Sequence, residues 1–381
     1  MEHLGNSDVP PAAPPAAPPA APPAASLAAA PATMPAAPPA TMPATAASIR
    51  HNPNFDLQSM LRQQYEEHAR KEGDDNTLWQ AARSLHFTLL LGYAMTQKSG
   101  AEFNGEGSKA MNLHDLWSIY YQSSKNISAN CAAQDRLAFE VLRIQGQGAL
   151  TRHDAATDAV QVATTPGGNV WADMPYFVSD MKNFWVKDCA GMSAAHRVNF
   201  SRFLAKLACV GIVKEGLSGT ALILFRDALE TPRSLGEIKD NTEEDPGRSM
   251  EDLTIGDLLP AIGSWLNEAG LKIIQLSDQT WNDCDEATGA IGTKCRDDSS
   301  TNIKLAGFSP DRWLYWLKQM EEISLEAEKT GNTKLLKCAT QIMDAMLLDL
   351  NLSDSAMRRM LDASPGIVRY RNQVVEALKL E

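Results

Sequence analysis

The chain is predicted to be all-α: an irregular multi-helix bundle or short solenoid-like stack of about eleven helices, behind a disordered Pro/Ala-rich N-terminal arm. Three observations predict this. Apolar residues after Asn54 recur at helical rather than alternating spacing in one segment after another. Strand signals are scarce. Proline is also unevenly placed, with 13 of the 21 in residues 1–50, so a stretch that cannot propagate helix precedes one that can.

Within the arm, residues 10–25 read PPAAPPAAPPAAPPAA, and PATMPA occurs at 31–36 and again at 39–44. Each proline fixes its own φ and pushes the preceding residue out of the helical region, so the alanines cannot nucleate a helix and a fluctuating polyproline II spacer is expected. A proline-binding domain is the functional alternative for this segment. The first Lys or Arg is Arg50, which fits neither a secretory signal nor a mitochondrial presequence. Residues 51–381 are expected to form one all-α domain with flexible loops near 236–250 and 282–303.

Helices are predicted in chain order over 56–72, 77–97, 113–124, 132–145 and 174–187. Between the last two, residues 150–172 suggest one short hairpin, because Ala159, Val160, Gln161 and Val162 precede Pro166, Gly167, Gly168 and Asn169. Phe200, Phe203, Leu204, Leu207 and Ala208 then follow i, i+3, i+4, i+7, i+8, opposite Arg197, Ser201, Arg202 and Lys206. In the segment 217–230, Ala221 to Phe225 is apolar on every face, which predicts a helix buried at the centre. An acidic connector follows, with Glu243, Glu244 and Asp245 before Pro246 and Gly247. A helix over 255–277 leads to a second polar stretch, 282–302. Ser309 as N-cap with Pro310 at the first helical position marks the start of a helix carrying Trp313, Trp316, Leu317, Met320 and Ile323. The segment 334–351 carries two apolar rows, Leu335, Ala339, Ile342, Met346 and Leu336, Met343, Leu347, Leu350, so it should touch more than one neighbour. A last helix is predicted over 368–380.

Net charge is −12, and the arm before Arg50 contributes only Glu2 and Asp8 to it. That balance opposes a nucleic-acid or anionic-lipid surface. The most apolar window, Leu78 to Met95, contains Arg83 and His86 and falls short of the ~20 apolar residues a bilayer requires. Six cysteines with no compact spacing indicate a reducing compartment, and an intracellular protein, cytoplasmic or nuclear, is expected.

Catalytic templates fail one after another. Asp283, Cys284, Asp285, Glu286, Cys295, Asp297 and Asp298 cluster oxygen and sulfur ligands, but the cysteines are not closely paired and no histidine is near, so a solvated acidic loop is expected rather than a metal site. Gly146-Gln147-Gly148 and Gly105-Glu106-Gly107 lack the third glycine and the preceding strand of a dinucleotide fold. No nucleophile elbow, zinc-protease motif or Walker loop occurs. No cofactor or metal is expected, and the reading leans away from an enzyme. If a polar pocket exists, its candidates are Asp173, His196, Arg226, Asp227 and Glu230. His196 with Asp188 and Cys189 could make an acid/base or thiol arrangement, while Arg226, Asp227 and Glu230 cap a fully apolar stretch and most simply form a structural ion-pair cluster.

The strings AAQDRLAFEVLRIQGQGALTR, VWADMPYF, NFSRFLAKLACVGI, ALILFRDALETPR, DLLPAIGSWLNEAGLKIIQLS and FSPDRWLYWLKQMEEIS, in that order, resemble a fungal family catalogued as domain of unknown function 3632. The resemblance covers about Leu78 to Leu350 and implies a mainly helical, intracellular fungal protein without an assigned active site. No residue role carries over. The leading expectation is a protein-binding or regulatory scaffold with an unidentified protein partner. The alternative is an accessory enzyme or small-molecule binder in fungal specialised metabolism, using a pocket between helices. A DNA-binding regulator is disfavoured by the missing basic cluster.

Overall fold

In the computed structural model, described residues are 78–80, 82–84, 86, 113–154, 157–240, 243–298, 303 and 306–363. The Pro/Ala arm, the helices expected over 56–72 and 368–380, and most of the one over 77–97 lie outside them. All described residues belong to one unit, Asp56–Glu381.

The helical prediction holds where it can be read. The elements are α1 (Leu113–Asn126), α2 (Ala132–Gly146), α3 (Phe177–Asp188), α4 (Ala194–Cys209), α5 (Ser218–Phe225), α6 (Ile255–Asp278), α7 (Glu286–Gly289), α8 (Thr293–Asp297), α9 (Pro310–Lys329), α10 (Thr333–Leu352) and α11 (Met357–Ala363). The four strands are short: β1 (Thr151–Asp154) pairs antiparallel with β2 (Ala159–Val162), and β3 (Thr164–Thr165) with β4 (Gly168–Asn169). Two hairpins therefore stand in series where one was expected. Pro166 and Gly167 turn the second, and the first closes between Asp154 and Ala159. Buried Ala163 joins them, donating to Leu150 O at 2.8 Å and accepting from Val170 N at 3.0 Å.

The 24-residue α6 is the central member, packed on α4 along one side and on α10 and α9 along another. Its sequence reads apolar nearly all round, as a helix with several neighbours must. Thr254 caps it: the hydroxyl accepts from Asp257 N while Asp257 Oδ2 accepts from Thr254 N at 2.9 Å, a reciprocal box that satisfies two orphan donors. Non-helical φ/ψ at Ala269 bends the helix. At the neighbouring Gly270 a Cβ would stand 1.8 Å from Asp349 Oδ2, so a larger residue there would make the Asp349 carboxylate of α10 turn aside. On the other side α1 lies against α4 and α3, and all eight residues of α5 are buried, as its unbroken apolar run predicts.

Pro310 sits at the first position of α9, and Ser309 Oγ accepts from Arg312 N at 3.2 Å. Both signals were visible in the sequence. Because Ser309 is buried, water cannot replace the lost acceptor, so Ser309→Ala is expected to cost about 1 kcal/mol, read as a lower denaturant midpoint at unchanged slope. An unchanged midpoint would show that the cap is dispensable.

Past α5 the helix widens into a π-turn, Arg226–Glu230, before the chain leaves as an extended connector. The α-helical period places Glu230 correctly in sequence but not in rotation. Two of the connector's own arginines tie it to carbonyls of its neighbours, and a third arginine, Arg197, ties the turn between α3 and α4 to the start of α6. Arg233 donates to Asp227 O, Met250 O and Leu253 O, Arg248 to Ala190 O and Met192 O, and the fully buried Arg197 to Cys189 O, Met192 O and Asp257 O. No helix among the described residues is long and apolar enough to cross a membrane.

Candidate functional site

Helices α1 and α3 run in the same direction. His114 meets Asp180 in the first turn of each, and Tyr121, past the middle of α1, meets Asp188 at the end of α3. Along α1 the residues facing this seam recur at helical spacing, His114, Tyr121 and Lys125, and along α3 the matching set is Asp180, Phe184 and Asp188. His114 Nδ1 lies 2.7 Å from Asp180 Oδ2, and its ring is tilted against Tyr176 at 4.5 Å. Tyr121 stacks on Phe184 at 4.4 Å and donates its hydroxyl to Asp188 Oδ2 at 2.7 Å. Burial pushes the Asp180 carboxyl up, against the lowering effect of His114.

At the far end of the seam the connector returns and lowers Glu244 onto it. Lys125, with no side-chain exposure, donates to Glu244 Oε1 at 2.7 Å, and His196 Nδ1 lies 2.9 Å from the same oxygen. Asp245 N donates to Gly191 O at 2.8 Å and holds this part of the connector in place. Burial alone would raise the Glu244 carboxyl, but the hydrogen bond from His196 and the charge and hydrogen bond of Lys125 prevail and hold it well below the usual range. An ionised carboxylate accepts only, so Nδ1 carries the proton of the neutral imidazole and Nε2 is left with its lone pair. Among the described residues Nε2 has no partner, and the side chain is 16% exposed. His196 thus has a fixed tautomer and an open nitrogen, the arrangement a general acid/base requires.

The five pocket candidates do not converge. Asp173 is exposed and accepts from Asn169 N at 2.7 Å, closing the β3–β4 turn. Arg226 and Asp227 pair with each other at 3.4 Å on the π-turn, where burial pushes the Asp227 carboxyl up. Glu230 turns away from both. It is fully buried and receives Arg312 Nε at 2.6 Å and Nη2 at 3.1 Å, Trp316 Nε1 at 2.7 Å and Gly292 N at 2.8 Å. The remaining guanidinium protons go to Gly289 O, Gly307 O and Ala290 O, so all five donors of Arg312 are used. Gly292 is required there, since a Cβ would approach Glu230 O to 2.5 Å. Nothing in this clamp is left for a substrate.

His196 keeps its candidacy with different partners. Asp188, its expected carboxylate, takes the Tyr121 hydroxyl, and Cys189 is sealed, with burial pushing its thiol up to about 12, so no reactive thiolate forms. Lys125 and Glu244 were missed. The only sequence signal for Lys125 is a cation on the buried face of α1, and none exists for Glu244, which reads as one member of a solvated acidic run. In the stretch expected as a solvated acidic loop, α7 and α8 form, and Cys295 is buried with its thiol pushed up to about 12 by desolvation and the charge of Glu230. Half-buried Cys284 is a separate free cysteine.

A helical fold carrying His196 against a buried Lys125–Glu244 pair, with the Arg312–Glu230 clamp apart from it, defines a class by architecture rather than by a familiar catalytic motif. The chain belongs to the family described as Protein of unknown function (DUF3632), whose model matches residues 117–320. Lys125, His196, Glu244, Glu230 and Arg312 all fall inside the matched range; His114 falls outside it. A similar protein is the Oxopyrrolidines biosynthesis cluster protein G of Penicillium oxalicum, 36% identical over 242 residues that make up 64% of this chain and 67% of that one. No solved structure matches.

Proposed function

We propose that this protein serves fungal specialised metabolism as an accessory enzyme or small-molecule binder, with His196 as its proton-transferring group. The relative named for a biosynthesis cluster supports this second of the two expectations. Nothing in that relative's name supports the scaffold expectation. The observation that carries the reading is the double contact on Glu244 Oε1, because it ties tautomer control of His196 to a buried ammonium. Lys125 keeps Glu244 ionised, Glu244 keeps the proton on Nδ1, and Nε2 is free to take a proton from, or return one to, a bound molecule. Asp188 and Tyr121 flank the site as a further proton-bearing pair.

The test is complementation of a deletion strain with extracted metabolites compared by mass spectrometry. His196→Asn retains a donor near the Nδ1 position and removes Nε2. Wild-type protein is expected to restore the metabolites altered by deletion, whereas His196→Asn, expressed at equal level with an unchanged melting temperature, should lower their flux by about 100-fold or more. Restoration to wild-type levels by His196→Asn would remove the imidazole from the chemistry.

A further inference from the structure

Beside the π-turn, and built from other residues than the His196 cluster, lies a half-open cleft of about 240 Å³. Its walls are apolar: Leu229 from the π-turn, Pro232 from the connector, Ile255 from the start of α6 and Ile323 from α9. Into it come three nitrogen-bearing side chains, Arg233, Lys294 and Gln319. Gln319 is 2% exposed, so its amide is a deliberate part of an interior surface rather than a solvated head group.

The hydrogen-bond inventory of these three groups is one-sided. Lys294 Nζ donates to Gln319 Oε1, and an ammonium can only donate, so the amide is oriented with its oxygen toward Lys294 and its NH2 turned elsewhere. That nitrogen has no acceptor among the described residues, nor is it sealed from solvent. Arg233 spends Nε and Nη1 on Asp227 O, Met250 O and Leu253 O, which immobilises the guanidinium, while its Nη2 has no acceptor among the described residues. Glu322, 3.8 Å from Lys294 and 3.9 Å from Lys318, is the counter-charge of Lys294, with its side chain 47% exposed and shared between the two lysines, while the Asp227 carboxylate acts on Arg233. Fixed donors without acceptors, set in an apolar wall, call for a ligand that brings acceptors and a short greasy body.

The geometry points to this cleft as a binding site for a small aliphatic carboxylate. The carboxylate oxygens take Arg233 Nη2, Gln319 Nε2 and a proton of Lys294, displacing Glu322 as the counter-charge of Lys294. The chain of the ligand lies along Leu229, Pro232, Ile255 and Ile323. The volume, just under the few hundred Å³ of drug-sized sites, sets a small acid as the occupant. This inference goes beyond the proton-transfer reading and does not depend on it.

The experiment is a calorimetric and NMR titration of the full-length protein with hexanoate, hexanamide and hexylamine, repeated on Lys294→Met and Gln319→Leu. Lys294 is half-exposed, so its replacement leaves the fold intact, and retention of the wild-type melting temperature checks this for both variants. Saturable binding of hexanoate at least tenfold tighter than hexanamide, with a tenfold or greater loss in either variant, is the expected result. Equal affinity for acid and amide, tighter binding of hexylamine, absence of saturable binding, or affinity retained in both variants would each overturn the site. Neither variant touches His196, so failure here and failure of the complementation test are separable.

Discussion

Replacing Arg312 by methionine is expected to destabilise the protein by about 3–5 kcal/mol. The reason lies less in the attraction between the charges than in what the substitution strands. Glu230 has no exposed side-chain area, and without Arg312 it retains only Trp316 Nε1 and Gly292 N as donors. Ala290 O and Gly307 O lose their donor at the same moment, and Gly289 O keeps only the bond from Gly307 N. A buried carboxylate without its counter-charge is the costly species, since desolvation is no longer offset. Lysine cannot rescue the site, because three donors on a flexible stem do not reproduce a planar fork with five.

Removing both charges, as Glu230→Leu with Arg312→Met, should recover part of the loss but not all. The carboxylate disappears, yet Ala290 O, Gly307 O, Trp316 Nε1 and Gly292 N remain unpaired at about 1–3 kcal/mol for each group that water cannot reach, while Gly289 O keeps its bond from Gly307 N. Guanidinium denaturation of the two single variants and the double variant gives the coupling directly. A loss below about 1 kcal/mol for Arg312→Met would mean that water enters and the pair is not sealed.

This clamp also marks where sequence reading stops. Ser309 and Pro310 announce α9, the doubled apolar rows announce α10, and the unbroken run Ala221 to Phe225 announces the burial of α5, because each is a local property of spacing or of a terminal residue. The grouping of Arg226, Asp227 and Glu230 into one ion-pair cluster followed the same local logic and was half right. Arg226 pairs with Asp227 next to it, but the π-turn rotates Glu230 onto Arg312, 82 positions away. No periodicity signals a five-residue hydrogen-bond step. Sequence proximity likewise offers His196 the neighbours Asp188 and Cys189, whereas its partner is Glu244, 48 positions on. Acidic residues in a polar run look solvated unless the path of the connector is known, and that path is set by Arg233 and Arg248 binding carbonyls, which leaves no mark in composition.

Acidification between pH 6.5 and 4 is expected to weaken the fold by about 3 kcal/mol through a single residue, His86. Its ring is 1% exposed, edge-on to Trp171 at 5.1 Å, with neither nitrogen hydrogen-bonded among the described residues. Burial, with a smaller contribution from the charge of Arg143, pulls its pKa from 6.5 down to about 4. In the unfolded chain the imidazole takes up its proton near pH 6.5, whereas in the folded chain it resists until about pH 4. Over that window the unfolded state binds more protons, so stability falls as pH falls, and the loss is complete once the folded form also protonates. Glu244 acts in the same direction but lower, since its depressed carboxyl contributes stability that is lost only below the ordinary carboxylate range. The two are separable by substitution. His86→Leu removes two nitrogens that have no partner among the described residues and should raise stability at pH 7 by about 1–2 kcal/mol while flattening the profile between pH 6.5 and 4. The steep decline below pH 4 should remain. Denaturation midpoints for wild type and His86→Leu across pH 4 to 7.5 measure this, and parallel profiles over that range would assign the acid sensitivity to another group.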